Sequence, residues 1–528
     1  MKSAHWLACL ALALPAWPQG ESEVHGTVVD ARGGELLGNV QVTLAGGPYR
    51  TTTDAQGRFH LPAVVPGDYV LHVSTVGYHL LKRPFHLDAG ETKDFEVVLT
   101  PDTLSQTNTV EVKAGPFDVA AQDSPSTLTL AGNDAKNLGS VLADDPLRAV
   151  QDLPGVTAND DFDARFSLRG VDFTRIGLYL DGVLLHEPFH TLPGQTLPAS
   201  ATAVNGDLVD EMQLYEGAWP VRYGDRSGGV LDVDTRDGSR TETLVRAEAS
   251  ASNAGVLAEG PLGRKKRGSW LVAARKSYLQ YLLERVAPNT GLALGGEDVQ
   301  ARLAYDLDSR NHLTLYLLES YSDLHQTAGS NPGFNSLLNA GFHYTLANLG
   351  WRYTPADNLL VTTHAAWMRE KFGDNGPDDI SLGAGYYGEW VWNTTATWMW
   401  RTNCPLDAGW SVRRTRDAGY AQQFDGNVLP WQQNWNGTAR LDGGYVQQSV
   451  AALNGRLRLT GGMRWDGDSA DGVSVTSPVA SATIGLTPST HLQLGFGQYA
   501  QFPELSELQS AGWSRPATHA VQPGDCGD

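Results

Sequence analysis

The sequence is poor in cysteine, methionine and charge for its length. Its 528 residues include 3 Cys and 5 Met, and 19% of them are charged. Cys9 lies in the N-terminal apolar run, and Cys404 and Cys526 are far apart in the sequence. No disulfide framework is therefore predicted. A chain of this length is expected to form several domains or one very large β unit.

Basic residues are also scarce. The chain has 39 Lys and Arg against 59 Asp and Glu, which gives a net charge of -20. Nucleic-acid binding requires a basic face that neutralises phosphates. The composition therefore argues against a nucleic-acid partner.

Long hydrophobic runs are absent except at the N-terminus. Lys2 precedes an apolar run over residues 6–14, and Pro15 and Pro18 end it. A spanning helix needs roughly 20 apolar residues, so a membrane anchor is disfavoured and residues 1–19 are predicted to be a cleaved secretory signal. The mean hydropathy of -0.28 does not exclude a β-barrel, whose strands alternate apolar and polar residues.

Residues 21–101 contain short alternating strands separated by clusters of Gly, Pro and Asp. This pattern predicts a small β-sandwich. The phrase TDAQGRFHLPAVVPGDYVLHVSTVGY resembles the carboxypeptidase regulatory-like domain, an immunoglobulin-like module without catalytic residues. The five histidines from His25 to His86 follow no metal-ligand spacing, so they are predicted to be ordinary sandwich histidines.

Four phrases follow in a fixed order between residues 138 and 233. They are LGSVLADDPLRAVQDLPGV, RFSLRGV, IGLYLDGV and VDEMQLYEG leading to VRYGDRSGGVLDV. In this order and spacing they resemble the plug domain of TonB-dependent outer-membrane receptors. The resemblance implies a compact α/β plug over residues 126–238, folded inside a wide barrel.

The residues that carry the plug resemblance are glycines, charges and one tyrosine. Glycines permit tight turns and close approach of the backbone to a surrounding wall. Arg169, Asp181, Arg222 and Asp225 are candidates for ion pairs between plug and barrel, although ordinary fold-stabilising charges are the favoured interpretation. The residues predicted to have structural roles in the plug are Arg169, Gly170, Asp181, Gly182, Arg222, Tyr223 and Gly224.

Residues 102–125 have the composition of a linker. Within them, Thr109, Val110, Glu111 and Val112 form a β-prone stretch that occupies the place of the TonB box. Such a stretch can add as a strand to the sheet edge of a partner. The resemblance therefore implies that TonB, the energy-transducing protein, binds here.

The sequence HEPFH at residues 186–190 matches a zinc-peptidase pattern, which requires a helix that places both histidines on one face. An Asp-Gly turn precedes it, and Pro188 lies inside the supposed helix at a cost of about 3 kcal/mol. Zinc catalysis is therefore disfavoured, and no catalytic residue, metal site or cofactor is predicted.

Residues 239–522 contain paired strands with short turns on one side and longer polar loops, such as 371–387, on the other. This is typical of an outer-membrane barrel. The strand pairs flank short turns: 301–305 with 313–317, 349–353 with 359–367, and 482–486 with 492–496. The phrases GSWLVAARKSY and YAQFPEL also resemble the receptor barrel.

The barrel is expected to be partial. A lumen that holds a plug needs about 22 strands, and residues 239–522 offer about half that number. Residues 523–528 form an off-pattern tail without a terminal apolar strand. The prediction is a truncated chain, since an open half-barrel exposes unpaired edges to lipid.

The predicted fold class is mainly β: a sandwich, an α/β plug and a partial antiparallel transmembrane barrel. The predicted function is TonB-driven uptake of a scarce ligand such as a ferric siderophore, in the outer membrane with the N-terminal domain in the periplasm. The expected partners are TonB, outer-membrane lipid and a nutrient ligand. The alternative is a non-transporting outer-membrane protein whose sandwich docks a periplasmic partner.

Overall fold

The structure is a computed structural model that divides into two compact units, residues 1–113 and 114–528. It describes residues 22–30, 36–38, 40–45, 49–75, 81–99, 127–132, 145–158, 163–192, 201–249, 253–278, 294–325, 333–401, 404–425, 428–453, 456–487, 490–505 and 508. The predicted signal segment, the linker with its candidate TonB box and the C-terminal tail lie outside these residues. No helix among the described residues is long and apolar enough to cross a membrane.

The first unit is a two-sheet sandwich, as the alternating pattern predicts. One sheet has the order β4-β1-β7 and the other β3-β2-β5-β6. Alternate residues such as Phe95, Val97 and Leu99 point inward and are at most 5% exposed. The strands are β1 Ser22–Asp30, β2 Gln41–Ala45, β3 Arg50–Thr52, β4 Arg58–Val64, β5 Gly67–Ser74, β6 Leu81–Leu87 and β7 Thr92–Leu99.

The second unit begins with the segment predicted to be a plug, called the plug segment below (described residues from 127 to 238). Its main sheet has the order β12-β11-β14-β13-β8, and β9 pairs with β10. A helix, Pro146–Gln151, begins at Asp145, whose side chain accepts from the amide of Leu147. The strands are β8 Thr127–Ala131, β9 Val156–Ala158, β10 Phe166–Leu168, β11 Ile176–Leu180, β12 Val183–Leu184, β13 Val209–Tyr215 and β14 Gly229–Thr235.

The predicted Asp-Gly turn connects β11 to β12. Asp181 has φ 45° and Gly182 φ 74°, which is the left-handed pair of a tight hairpin turn. Asp and Gly tolerate this conformation better than other residues. The Asp-Gly pair therefore determines how the chain reverses direction between β11 and β12.

The remaining strands form one antiparallel sheet of 13 strands, called the wall, in which each strand pairs with its sequence neighbours. All three predicted strand pairs are present: β18 with β19, β20 with β21, and β26 with β27. The strands are β15 Leu244–Ala249, β16 Asn253–Leu262, β17 Gly268–Ser277, β18 Leu294–Asp306, β19 Asn311–His325, β20 Asn339–Ala356, β21 Leu359–Asn375, β22 Ser381–Arg401, β23 Cys404–Asp425, β24 Val428–Ala452, β25 Leu457–Asp468, β26 Ser474–Thr487 and β27 Thr490–Gly497.

The two faces of the wall differ in polarity. Along β18, Val299 and Leu303 are 52% and 38% exposed, whereas Asp298, Gln300 and Arg302 are buried on the opposite face against the plug segment. An apolar outer face with a polar inner face is the pattern of an outer-membrane barrel.

One loop prediction is wrong. Residues 371–387 were expected to form a long polar loop, but β21 continues to Asn375 and β22 begins at Ser381. Strands of 21, 22 and 25 residues in β22, β23 and β24 are much longer than the roughly 9–11 residues that cross a bilayer. Because polar strand ends outside the bilayer lack apolar alternation, their sequence looks like a loop.

Candidate functional site

The plug segment and the wall share one apolar core. Leu180 and Leu208 of the plug segment belong to the same buried cluster as Leu271, Tyr316 and Phe342 of the wall. These side chains are at most 1% exposed. Separating the two surfaces therefore exposes apolar area to water, at roughly 25 cal/mol per Å².

The turn at Asp181 and Gly182 is fixed by three wall strands. Arg302 of β18 donates from Nη1 to Asp181 Oδ2 over 2.7 Å. Asn348 of β20 donates to the Asp181 carbonyl over 3.3 Å, and Asn393 of β22 donates to the Gly182 carbonyl over 2.8 Å. The contact combines charge with backbone recognition, so it depends on both the carboxylate and the turn geometry.

Arg413 of β23 forms the second link. Its Nη1 donates to Asp225 Oδ2 of the plug segment over 2.6 Å, and its Nε donates to Glu389 Oε1 of β22 over 2.6 Å. The Glu389 side chain is fully buried, and it also accepts from the Tyr387 hydroxyl. The second carboxylate oxygen of Asp225 accepts from the Phe502 amide over 2.9 Å. One buried guanidinium thus joins a plug carboxylate to a wall carboxylate.

Arg464 of β25 forms the third link, through the plug backbone. Its Nη1 donates to the carbonyl oxygens of Val221 and Arg222 over 3.3 and 3.2 Å, while Asp466 accepts from its Nε and Nη2. Gly224 lies against this guanidinium, and a Cβ there would be 2.1 Å from Arg464 Nε. A side chain at residue 224 would therefore require the Arg464 guanidinium to shift from its contacts with the plug backbone.

Two of the four predicted ion-pair candidates reach the wall, and the other two stay within the plug segment. Asp181 and Asp225 pair with wall arginines. Arg169 pairs with Glu216, and Arg222 lies over the ring of Tyr223, 4.6 Å from its centroid. Among these four candidates, the two acids therefore form the ion pairs with the wall.

Sequence reasoning missed the wall arginines, Arg302, Arg413 and Arg464. A usable signal is present for two of them, since Arg302 lies between Ala301 and Leu303, and Arg464 lies between Met463 and Trp465. An arginine between outward apolar residues of a barrel strand must point into the lumen. Arg413 lacks this signal because Arg414 follows it.

His186 and His190 of the HEPFH sequence contact different wall strands. His186 Nδ1 lies 2.7 Å from Glu370 Oε1 of β21, and its ring stacks on Tyr387 at 4.0 Å. His190 Nδ1 lies 3.0 Å from Ser322 Oγ of β19. The described residues around this sequence form no helix, so the geometry required for a zinc peptidase does not form.

His186 also lies 3.4 Å from Glu504. Burial opposes its charge, but the carboxylates of Glu370 and Glu504 outweigh this effect and raise the pKa of His186 well above its usual 6.5. The positive charge of His186 is the main cause that lowers the pKa of Glu504 to about 2. The protonated histidine therefore joins the plug segment to Glu370 and Glu504.

This cluster predicts a pH-dependent stability. The contribution of His186 is complete below pH 6.5, its usual pKa, and is lost as the pH rises through its higher folded pKa. Each pKa unit of difference contributes about 1.4 kcal/mol. We expect thermal unfolding midpoints to fall more between pH 6.5 and 9 for Glu370→Gln than for Glu370→Gln combined with His186→Gln, two proteins in which no carboxyl at residue 370 titrates. His325→Gln, at a 70% exposed side chain, is the control and should keep the wild-type slope.

A cavity of about 510 Å³ lies between the plug segment and the wall. Burial raises the pKa of Asp232, while Arg222 and Tyr223 oppose this effect. Small-molecule sites span roughly 300–1,000 Å³, but acids and arginines face one another here, so water and small polar groups suit the cavity. Its charged lining consists of Asp181, Arg222, Asp225, Asp232, Asp234, Arg302, Arg352, Arg413 and Arg464.

Two protein families match this chain. The carboxypeptidase regulatory-like domain matches residues 23–100, and the TonB-dependent receptor plug domain matches residues 121–230. Both matches agree with the resemblances predicted from the sequence. The plug match covers the residues that contact the wall through Asp181 and Asp225.

Three known proteins are similar to parts of this chain. Oar of Myxococcus xanthus, a TonB-dependent transporter, is 24% identical over 229 residues, which are 41% of this chain and 20% of Oar. A mutant of the ferric enterobactin receptor PfeA from Pseudomonas aeruginosa matches with TM-score 0.56 and 15% identity, covering 75% of this chain and 65% of PfeA. The siderophore receptor PirA from Acinetobacter baumannii matches with TM-score 0.55 and 15% identity, covering 72% of this chain and 62% of PirA. This chain thus spans less than two thirds of the length of each of these relatives.

Proposed function

We propose that this chain is part of a TonB-dependent receptor and that the complete protein uses TonB to drive uptake of a scarce ligand across the outer membrane. The observation that carries this proposal is the attachment of the plug segment to the wall. Three arginine contacts and a shared apolar core hold it in place. A ligand can pass only when work is done to rearrange these contacts.

The candidate binding site for TonB is the stretch Thr109, Val110, Glu111 and Val112. It lies between the two matched domains, at residues 23–100 and 121–230. Its residues favour an extended conformation, which suits addition to a sheet edge of TonB. A pull on this stretch is transmitted through the chain to β8, the first strand of the plug sheet.

The proposed orientation follows from the connections of the wall. Those after β18 and β20 are short, at residues 307–310 and 357–358. Short turns face the periplasm in outer-membrane barrels. The N-terminal sandwich precedes the plug segment, so we place it in the periplasm, on the side from which TonB acts.

The proposed ligand class is a ferric siderophore or another scarce nutrient. PfeA and PirA are siderophore receptors. Their similarity to this chain is a similarity of fold, and it is the support for this ligand class. A glycan, a peptide or cobalamin suits the same architecture. The charged contacts between plug segment and wall are assigned to closure of the lumen rather than to ligand recognition.

We propose that further strands complete the barrel. Within the described residues, β15 and β27 each pair on one side only. An unpaired strand edge in lipid leaves backbone groups without hydrogen bonds, at several kcal/mol each. Additional strands between these edges remove that cost and enclose the plug segment.

The uptake proposal is tested by deleting residues 107–114 from a gene that encodes the complete barrel. We expect energy-dependent uptake of the radiolabelled ligand to stop while ligand binding to whole cells is unchanged, because the deletion leaves plug and wall intact. Deletion of residues 115–120, which lie in the same linker and outside both matched domains, is the control. Uptake that survives the 107–114 deletion would exclude TonB coupling at this stretch and favour a non-transporting binding protein.

A further inference from the structure

Three side chains on the outer face of the N-terminal sandwich converge on one point. His25 of β1 and His60 of β4 are directly opposite each other in the antiparallel register, and directly opposite residues point to the same face. Glu23 lies two residues before His25 and therefore on that face as well. One ligand atom from each of the three lies within 4.8 Å of the others.

The distances suit donors that share one cation. Glu23 Oε2 lies 2.9 Å from His25 Nε2 and 3.5 Å from His60 Nε2. Zinc bonds of 2.0–2.1 Å in a tetrahedral arrangement place two donors about 3.3 Å apart. The two imidazole rings stack at 4.2 Å with an interplanar angle of 12°, and both Nε2 atoms lie beside the Glu23 carboxylate.

The three side chains are accessible from solvent. His25, Glu23 and His60 are 39%, 42% and 48% exposed. On the other side of His25, Asp94 of β7 is its register partner in the parallel pair. A cation bound here meets negative charge and retains coordination positions for water.

We propose that Glu23, His25 and His60 form a binding site for a late first-row divalent cation, of the Cu²⁺, Ni²⁺ or Zn²⁺ class. Imidazole nitrogen with one carboxylate selects these ions over Mg²⁺ and Ca²⁺, which prefer all-oxygen shells. The site bridges β1 and β4, so bound metal stabilises their pairing. Residues 25 and 60 are distant in sequence, which is why spacing alone predicted ordinary sandwich histidines.

The test is a titration of the untagged full-length chain with Cu²⁺ and Zn²⁺, monitored by calorimetry. We expect the double variant His25→Gln with His60→Gln to bind its first Cu²⁺ or Zn²⁺ ion at least about tenfold more weakly than the wild type, because two metal ligands are removed. His72→Gln with His86→Gln, two histidines of the other sheet, is the matched control and should retain wild-type affinity. Equal affinities in the wild type and the His25/His60 variant would overturn the proposal.

A second set of measurements separates metal binding from a purely structural hydrogen bond. Electron paramagnetic resonance of the first Cu²⁺ equivalent should show two imidazole nitrogens in the wild type and one in His60→Gln. Glu23→Gln, which keeps the side-chain shape, should weaken Zn²⁺ binding and abolish the Zn²⁺-induced rise in the unfolding temperature of the sandwich. A spectrum without paired imidazole nitrogens, or equal binding of Mg²⁺ and Zn²⁺, would contradict the site. None of these readouts depends on TonB or on uptake.

Discussion

Replacing Arg413 by alanine is expected to destabilise the contact between the plug segment and the wall by about 3–5 kcal/mol, the usual cost of leaving buried charges without a partner. The guanidinium is the shared partner of Asp225 and Glu389. Glu389 is fully buried and cannot recover its hydration when Arg413 is removed. The change should appear as faster hydrogen exchange in β11 and β14 of the plug sheet.

Arg414→Ala is the matched control for this prediction. Arg414 is the next residue of β23 and is exposed on the opposite face of the wall, where substitutions usually change stability by less than about 0.5 kcal/mol. Exchange rates in the plug sheet should therefore remain those of the wild type. Equal effects of the two variants would show that the Arg413 contact does not hold the plug segment.

Local features of the plug segment were predictable from the sequence, but the wall residues that contact it were not. The Asp-Gly pair at residues 181 and 182 predicts a tight turn, because few other residues adopt its backbone angles. Arg302, which pairs with this turn, lies 121 residues further along the chain. Which wall strand faces the turn depends on the register of the whole sheet, and no local pattern specifies that register.

The same limit applies to the histidines. The sequence HEPFH matches a zinc-peptidase pattern that its sequence context disfavours, and β12 ends at Leu184, after which the backbone carries His186 and His190 to different wall strands. His25 and His60 showed no motif, yet the pairing of β1 with β4 brings them together. Strand pairing, rather than spacing, decides which histidines meet in a β protein.

Replacing Val110 by proline is expected to abolish binding of the periplasmic domain of TonB. A strand that adds to a sheet edge is held by main-chain hydrogen bonds, and proline lacks the amide donor that such pairing needs. The substitution lies in the linker between the two matched domains, so the sandwich and the plug segment should keep their stability. The loss should therefore be specific to partner binding.

The most direct measurement of TonB coupling is the affinity of the full-length chain for the periplasmic domain of TonB, compared among the wild type, Val110→Pro and Ala120→Pro. Ala120→Pro places the same substitution ten residues further along the linker. We expect measurable binding for the wild type and Ala120→Pro and at least a hundredfold weaker binding for Val110→Pro. Equal binding by all three proteins would contradict TonB capture at Thr109–Val112, and with it the proposed route by which energy reaches the plug.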